Sequence, residues 1–202
     1  AAHSSVEDIV REYQAKYQHI VYKKIENKGI AANTNAAAEL ASGEYLALAD
    51  HDDILAPHAM YTMGQAIRQL REAGEPDGFL YSDEALFTKK IEKPLVAHFK
   101  PDYAPDYLLC CNYICHLAVF RRELFEQVGG ERPECDGSQD HDLFLRLIEQ
   151  VGGAAHVPQV LYYWRVHEGS TSGGTDAKPY VAKAAKKALA DHLERTGRTG
   201  TI

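Results

Sequence analysis

The sequence predicts an α/β fold built around a mainly parallel central sheet. Helix-like and strand-like patterns alternate over about the first ninety residues, which is typical of this class. The run Tyr45-Leu46-Ala47-Leu48-Ala49 is short, apolar and bounded by charge, as in a strand that is covered on both faces. The composition, 45% hydrophobic and 25% charged over 202 residues, is that of a globular domain with a sizeable core.

The elements of the first half each have a local signal. Ser5 can cap a helix, with Asp8 placed for a capping box. An alanine-rich helix is stopped by Ser42-Gly43, and Pro57 is a favoured first-turn residue of the next helix. In chain order the predicted elements are a helix over 6–17, a strand over 19–25, a helix over 30–41, a strand over 45–49, a helix over 57–73 and a strand over 78–82.

The second half continues the alternation after a proline-spaced stretch over 93–107, which predicts an extended or looped segment. Apolar residues at helical spacing follow Ser138, and Asp140 and Asp142 lie in the first turn of that helix, where the helix dipole favours acids. The remaining predicted elements are a strand over 114–120, a helix over 122–128, a strand over 156–164, a flexible small-residue stretch over 170–174 and a helix over 180–195.

Charge and cysteine usage narrow the class of protein. The chain carries 29 acidic and 22 basic residues, which disfavours duplex nucleic acid as a partner. No apolar run reaches the roughly 20 residues that span a bilayer. The spacing of the cysteines suits free thiols in a reducing compartment better than a zinc ribbon. The opening Ala1-Ala2-His3 lacks an initiator methionine and an opening strand, so we expect a fragment of a longer protein.

The strongest local feature is Asp50-His51-Asp52-Asp53, directly after the predicted strand over 45–49. Ligands of open α/β sheets bind beyond the carboxyl ends of the strands, and clustered carboxylates suit Mg²⁺ or Mn²⁺ beside substrate phosphates. The alternative is an acidic loop that caps the helix beginning near Pro57.

Three further features carry functional alternatives. Asp140 is either a general base facing a cleft or an acid that complements its helix dipole. Arg165 and His167 either contact a diphosphate and a metal or end a strand at the surface. Asp83 and Glu84 are either site acids or part of a turn. Several histidines show no metal spacing on a helix face and are expected to be structural: His51, His98, His116, His141 and His156.

Taken together, the motifs resemble those of the family 2 glycosyltransferases, in the bacterial branch that builds O-antigen, rhamnan and other surface polysaccharides. The resemblance covers roughly residues 4–172, and the order and spacing of the motifs make it specific. The motifs are the run from Asn27-Lys28-Gly29 to Ala36, Ala41-Ser42-Gly43-Glu44-Tyr45, Leu48-Ala49-Asp50-His51-Asp52-Asp53, Tyr81-Ser82-Asp83-Glu84, Cys111-Asn112-Tyr113-Ile114-Cys115-His116, Gly137-Ser138-Gln139-Asp140 and Trp164-Arg165-Val166-His167-Glu168-Gly169-Ser170.

This resemblance implies a glycosyltransferase A (GT-A) fold, which is Rossmann-like with three layers, and an inverting transfer from a nucleotide sugar. It assigns the catalytic base to Asp140 and the ligation of Mn²⁺ or Mg²⁺ to Asp52 and His167. It places the donor near Asn27, Gly29, Asp50, Asp83, Glu84 and Arg165.

The sequence departs from the family pattern in two respects. Gln139 occupies a position where the family usually has Glu, so only Asp140 is assigned as base. The first strand of the family domain and its following helix are absent from the chain, which implies an N-terminally truncated domain.

The resulting expectation is one catalytic domain over 1–202, with a donor and metal half over 1–92, an acceptor and base half over 93–175, and a C-terminal helix and tail over 176–202. Its partners would be a nucleotide-diphosphate sugar and a glycan or lipid-linked saccharide acceptor, in the cytoplasm or peripherally at the inner face of the cell membrane. The alternatives are a truncated or degenerate module that binds glycan or scaffolds an assembly, and a metal phosphoesterase based on the acids after residue 49.

Overall fold

The computed structural model describes residues 5–167 and 179–202. Seven helices and six strands are assigned within these residues, with a 3-10 turn at Pro133–Cys135. In chain order they are α1 (Val6–Lys16), α2 (Ile30–Ala38), β1 (Tyr45–Ala47), β2 (Ile54–Leu55), α3 (Ala59–Ala73), β3 (Phe79–Phe87), β4 (Val96–His98), α4 (Pro105–Cys110), β5 (Ala118–Arg121), α5 (Arg122–Gln127), α6 (Gln139–Val151), β6 (Ala155–Arg165) and α7 (Pro179–Arg195).

The described strands form one mixed sheet in the order β1-β5-β3-β6-β2, and β4 pairs with β3. The longest pairing, between β3 and β6 at its centre, is parallel and runs from Leu80 opposite Ala155 to Phe87 opposite Arg165. The shorter strands around this pair are antiparallel. The carboxyl ends of β3 and β6 therefore meet at one edge, where an open α/β sheet binds its ligands.

Both faces of the sheet are covered, which gives three layers. Side chains alternate along a strand, and Phe79 and Tyr81 of β3 pack into one cluster with Phe144 of α6. Leu80 points to the other face and packs into a second cluster with Met63 of α3. Every residue of β3 except Leu86 is buried, including the polar Ser82, Asp83 and Glu84, because both faces of the strand are covered.

Local sequence accounts for the ends of several helices. Ser5 and Asp8 form the predicted capping box at α1. No side chain caps α6, but Asp140 and Asp142 lie in its first turn, as predicted.

The last helix, α7, docks on α6, where Nδ1 of His192 is 2.7 Å from the Glu149 carboxylate. No helix in the described residues is long and apolar enough to cross a bilayer.

The strand predicted over 19–25 is wrong. No described strand lies beside this segment to accept its backbone hydrogen bonds, and Val21 is exposed. The strand predicted over 45–49 is shorter than expected and pairs antiparallel, with only Leu46 buried. Its alanines satisfy an apolar pattern without requiring burial on both faces.

The segment over 93–107, predicted to be extended or looped, is extended at β4 but also contains the start of α4, and the strand predicted over 114–120 begins only at Ala118. The two-residue strand β2, directly after Asp53, was not predicted, because a pattern of period two needs more than two residues. The stretch over 170–174 lies outside the described residues.

Candidate active site

A turn between β1 and β2 carries the acids that stand out in the sequence. The Asp53 N–H donates to the Asp50 carbonyl at 3.3 Å. The Asp53 carboxylate accepts hydrogen bonds from the Tyr162 hydroxyl and from the Arg165 N–H, each at 2.7 Å. The same Tyr162 hydroxyl accepts from the Asp50 N–H at 2.9 Å. Strand β6 thus holds both ends of the turn, and Asp53 acts as its anchor, while Asp50 and Asp52 keep their carboxylates at the surface.

Asp52 and His167 lie together, although 115 residues separate them. The Oδ2 atom of Asp52 is 3.0 Å from Nε2 of His167, and both side chains are partly exposed. The Arg165 Nε donates to the Asp52 carbonyl at 2.6 Å, and its guanidinium lies over the Phe87 ring at 4.4 Å. The two residues predicted as metal ligands are therefore adjacent, and Arg165 supports the turn that carries one of them.

Asp50 lies beside an imidazole that the sequence analysis expected to be structural. Its carboxylate is 3.9 Å from Nε2 of His116, whose ring stacks on Tyr162 at 4.6 Å. The surrounding protein atoms displace water and raise the pKa of Asp50, His116 opposes this effect, and the nearby carboxyls add to it. These carboxyls include Asp140, so the acids of the turn and the predicted base share one electrostatic environment.

Two ligand sets can be compared for a divalent cation. One ligand atom each from Asp50, Asp53 and His116 lie within 4.8 Å of one another. Both oxygens of Asp53 already accept hydrogen bonds, however, which weakens this set. Asp52 and His167 are accessible and combine a carboxylate with an imidazole, a donor set that suits Mn²⁺. Asp52 and His167, with Asp50 nearby, therefore fit the cation better.

Asp140 is held at the start of α6 by one side chain. The Asn112 amide donates to the Oδ2 atom of Asp140 at 2.8 Å. The Oδ1 atom of Asn112 accepts from the Cys115 N–H at 3.4 Å, which keeps the amide turned toward the acid. Asp140 is half-buried, so it combines a fixed orientation with access to a substrate. This geometry suits a general base.

Glu131 is a buried acid behind this base. Its side chain is 3% exposed, and among the residues that the structure describes its Oε2 is the buried side-chain atom without a hydrogen-bond partner. Two hydrogen bonds with Asn35, each 2.8 Å, fix its backbone. Burial raises the pKa of Glu131 to about 7, with Asp140 adding to the increase and the Thr34 hydroxyl opposing it.

The surroundings of Asp83 and Glu84 differ from those of the acids in the turn between β1 and β2. Both are almost fully buried in β3. Asp83 accepts from the Lys100 N–H and lies 2.9 Å from Nε2 of His156. Glu84 accepts from the Lys100 ammonium at 3.1 Å and from the His116 N–H at 3.2 Å. These contacts hold β3 to the neighbouring segments that carry Lys100, His116 and His156, beside the site.

Asn27 and Gly29 form the turn that leads into α2. The side-chain Oδ1 atom of Asn27 accepts from the Gly29 N–H at 3.1 Å and from the Asn33 side-chain amide at 3.0 Å. Gly29 has φ +106°, and a Cβ there would meet the Asp136 carboxylate at 2.4 Å. That carboxylate accepts from the Ile30 N–H at 3.2 Å and caps α2. A glycine is therefore required for both its φ and the close approach of Asp136.

The structure adds residues that sequence reasoning did not assign to the site: Asn112, His116, Glu131 and Asp136. The first two lie in the motif over 111–116, so a signal for them was present. Nothing local marks the other two, since their contacts are with α2, about a hundred residues away. The end of the motif that begins at Trp164, residues 168–170, lies outside the described residues.

Two cavities, of about 270 and 300 Å³, lie away from these residues. Leu70 and Ala155 line both, near the amino end of β6, whereas the acids lie toward its carboxyl end. Neither cavity contains residues of the candidate site.

Comparisons with known proteins identify the family of the chain. The family model described as glycosyl transferase family 2 matches residues 4–129. The chain is 31% identical over 195 residues to the O-antigen biosynthesis protein RfbC of Myxococcus xanthus. This alignment covers 96% of the chain and 15% of that relative. The chain therefore spans only a small part of the relative's length.

Solved structures with low sequence identity share the fold. Residues 1–349 of TarS from S. aureus, in complex with UDP-GlcNAc, match with a TM-score of 0.64 and 15% identity, over 96% of this chain and 61% of that one. A mannosyltransferase from Pyrobaculum calidifontis, in complex with GDP-Man and Mn²⁺, matches with a TM-score of 0.52 and 17% identity, over 100% of this chain and 65% of that one.

Proposed function

The chain belongs to glycosyl transferase family 2 and has the GT-A fold, and from this premise we propose the reaction that it catalyses. It transfers a sugar, with inversion and with the help of a divalent metal, from a nucleotide-diphosphate donor to a hydroxyl of a glycan or lipid-linked saccharide. The observation that carries this proposal is the 3.0 Å approach of Asp52 to His167 at the edge where β3 and β6 end. The relative that makes O-antigen supports a role in surface polysaccharide synthesis.

The donor would lie over the turn between β1 and β2. Neighbours of the same fold hold UDP-GlcNAc in one case and GDP-Man with Mn²⁺ in the other, which supports a nucleotide-sugar donor and a divalent cation. We assign Asp50 to the donor side of the site, with Arg165 and the turn at Asn27 and Gly29. The last three are held by internal hydrogen bonds, so they would shape the pocket with their backbone as well as their side chains.

Asp52 and His167 would hold the cation, with Asp50 beside them. A bound Mn²⁺ or Mg²⁺ supplies positive charge to the diphosphate leaving group. The carboxylates of Asp52 and Asp50 would keep the cation close to the donor, and His167 would approach it from the carboxyl end of β6. Asp83 and Glu84 would position the backbone near the donor, because both side chains are buried and their oxygens already accept hydrogen bonds.

Asp140 would act on the acceptor. The acceptor oxygen forms a bond to the anomeric carbon as the bond from that carbon to the diphosphate oxygen breaks, and the electron pair leaves on the diphosphate. The hydroxyl proton passes to the Asp140 carboxylate. Attack opposite the leaving group inverts the anomeric carbon. Asn112 keeps one carboxylate oxygen engaged and so orients the other. We assign the reaction to the cytoplasm, because nucleotide sugars are made there.

Replacement of Asp52 tests the proposal. Asp52→Ala removes a metal ligand, so Mn²⁺-dependent binding of a nucleotide sugar should weaken by at least about tenfold, since losing even an outer partner of a ligand costs that much. Calorimetric titration of UDP- and GDP-sugars with and without Mn²⁺ measures this effect. Asp106→Ala, at an exposed acid on α4, is the matched control.

Two results would contradict the proposal. An unchanged metal dependence in Asp52→Ala would remove Asp52 from the metal site. If the wild-type protein binds glycan but neither nucleotide sugar nor Mn²⁺, the chain is a non-catalytic module instead.

A further inference from the structure

The hairpin between β3 and β4 is an exposed surface that the proposed reaction does not use. It spans residues 88–99 and is held at the sheet by pairing of Leu86 with Val96. The Leu95 N–H donates to the Leu86 carbonyl at 2.7 Å, and a turn is closed by the Lys93 N–H and the Lys90 carbonyl at 3.2 Å. The hairpin is therefore an ordered projection whose base is part of the sheet.

The hairpin exposes large apolar side chains and lysines. Phe99 is 79% exposed, the highest value among the large hydrophobic residues that the structure describes, and Leu95 is 60% exposed. They flank β4, and because side chains alternate along a strand, Leu95 and Phe99 share one face of it. Exposed apolar groups on one face indicate a surface that meets a partner. The exposed lysines of the hairpin are Lys89, Lys90 and Lys93.

The charge of the hairpin is opposite to that of the chain. The whole chain has a net charge of −7, whereas the hairpin has three lysines and a single acid, Glu92. None of the three lysines forms an ion pair with any residue in the described part of the chain. Their ammonium groups can therefore bind phosphate groups of a partner without breaking an internal contact.

From these observations we propose that the hairpin over 88–99 docks the protein on an anionic lipid bilayer. The lysines lie against lipid phosphates with their alkyl stems along the surface, while Leu95 and Phe99 enter the boundary between headgroups and acyl chains. An anionic glycan would also bind lysines and stack on Phe99, but it offers no apolar environment for Leu95. The mixture of aliphatic and basic side chains thus favours a bilayer.

The position of the hairpin gives docking a consequence for the site. Its first residue, Thr88, accepts a hydrogen bond from the Arg165 guanidinium at 3.3 Å through its carbonyl. Arg165 in turn holds the turn that carries Asp52. A bilayer bound at the hairpin would therefore lie at the edge of the sheet where a lipid-linked acceptor would need to arrive.

Vesicle co-sedimentation tests the proposal without relying on sugar transfer. The wild-type protein should bind vesicles of phosphatidylcholine mixed with phosphatidylglycerol and bind pure phosphatidylcholine much more weakly. The variant Lys89→Ala/Lys90→Ala/Lys93→Ala should lose about a hundredfold in partitioning to the anionic vesicles. Leu95→Ser/Phe99→Ser should also lose about a hundredfold. All five side chains are exposed, so the fold should persist, which circular dichroism checks.

Matched variants on other faces keep the test specific. Tyr61→Ser removes an exposed aromatic from α3, and Lys183→Ala/Lys186→Ala removes exposed lysines from α7. Neither should change vesicle binding. The proposal is overturned if the wild type does not prefer anionic vesicles, if the control variants lose as much as the hairpin variants, or if dextran sulfate binds the hairpin and the vesicles do not. Because the readout is lipid binding, failure here leaves the proposed transferase reaction untouched.

Discussion

The acids of the turn after β1 and the acids within β3 have the same chemistry and opposite surroundings. The Asp50 side chain is 62% exposed, whereas Asp83 and Glu84 are 2% and 3% exposed. Asp50 and Asp52 of the turn keep oxygens available at the surface, and the strand acids accept hydrogen bonds from backbone N–H groups and from Lys100. A carboxylate that is fully engaged stabilises the fold, and one that is partly engaged can bind a ligand.

The largest effect that we predict is on turnover. Asp140→Asn keeps the shape of the side chain and its contact with Asn112 but cannot accept a proton, so kcat should fall by about 10²- to 10⁴-fold. Donor binding and the unfolding temperature should stay near the wild-type values, because the base acts only on the acceptor. Turnover at saturating donor and calorimetric titration measure the two quantities. A parallel loss of donor binding would place Asp140 on the donor side.

The opposite pattern is expected at the buried acid of β3. Glu84→Gln leaves the Lys100 ammonium buried without its carboxylate partner, so the free energy of unfolding should fall by about 3–5 kcal/mol. Urea denaturation measures this change. The double variant Glu84→Gln/Lys100→Met removes both charges and should recover part of the loss. If Glu84→Gln instead lowers donor affinity at unchanged stability, Glu84 belongs with the exposed acids of the turn and the contrast fails.

Glu131 sharpens the comparison, because it is buried like the strand acids but has an oxygen without a partner. Its pKa is about 7 in the folded state against an ordinary 4.5. Between these values the folded protein retains a proton that the unfolded chain has released, so stability falls as the pH rises. Above pH 7 the penalty is about 3 kcal/mol, at 1.36 kcal/mol per pKa unit.

Replacement by the neutral Gln should remove this pH dependence. Glu131→Gln should be more stable than the wild type at about pH 8, by up to about 3 kcal/mol, and similar to it below about pH 4.5. Urea denaturation at both pH values measures the difference. A variant that is destabilised equally at both pH values would show that Glu131 is paired and belongs with Asp83 and Glu84.

The smallest effect is expected at the link between the turn and the sheet. Tyr162→Phe removes the hydroxyl that donates to Asp53 and accepts from the Asp50 N–H, so the free energy of unfolding should fall by about 1–2 kcal/mol. Metal-dependent donor binding should weaken by a few fold, because the turn is less firmly held. Tyr163→Phe, at the next residue of β6, is the control. Equal donor binding in both variants would mean that the turn holds its shape without Tyr162.

Sequence patterns were sufficient where the cause is local. The capping box at Ser5, the amphipathic α6 and the acids in its first turn follow from residues within one or two helical turns, and all were predicted. The strand over 19–25 failed for the opposite reason. A strand requires a neighbour, and no pattern within seven residues states whether one exists.

The order of motifs predicted the family and the fold, and both are confirmed. It also named Asp52 and His167 as a pair, and the structure brings them to 3.0 Å, although their role as ligands stays a prediction. Asn112 and His116 lie in a motif that the sequence offered but were not assigned a role, whereas Glu131 and Asp136 were missed because their contacts join segments about a hundred residues apart.

The sequence by itself determined the family, the class of fold, most of the helices and strands, and the residue types available for chemistry. Only the tertiary structure decided which acids are exposed in the turn and which are buried against Lys100, His156 or Asn35. The physical reason is that a carboxylate's role depends on its solvation and its partners. Both are set by residues that lie up to about a hundred positions away and meet it only when the sheet has formed.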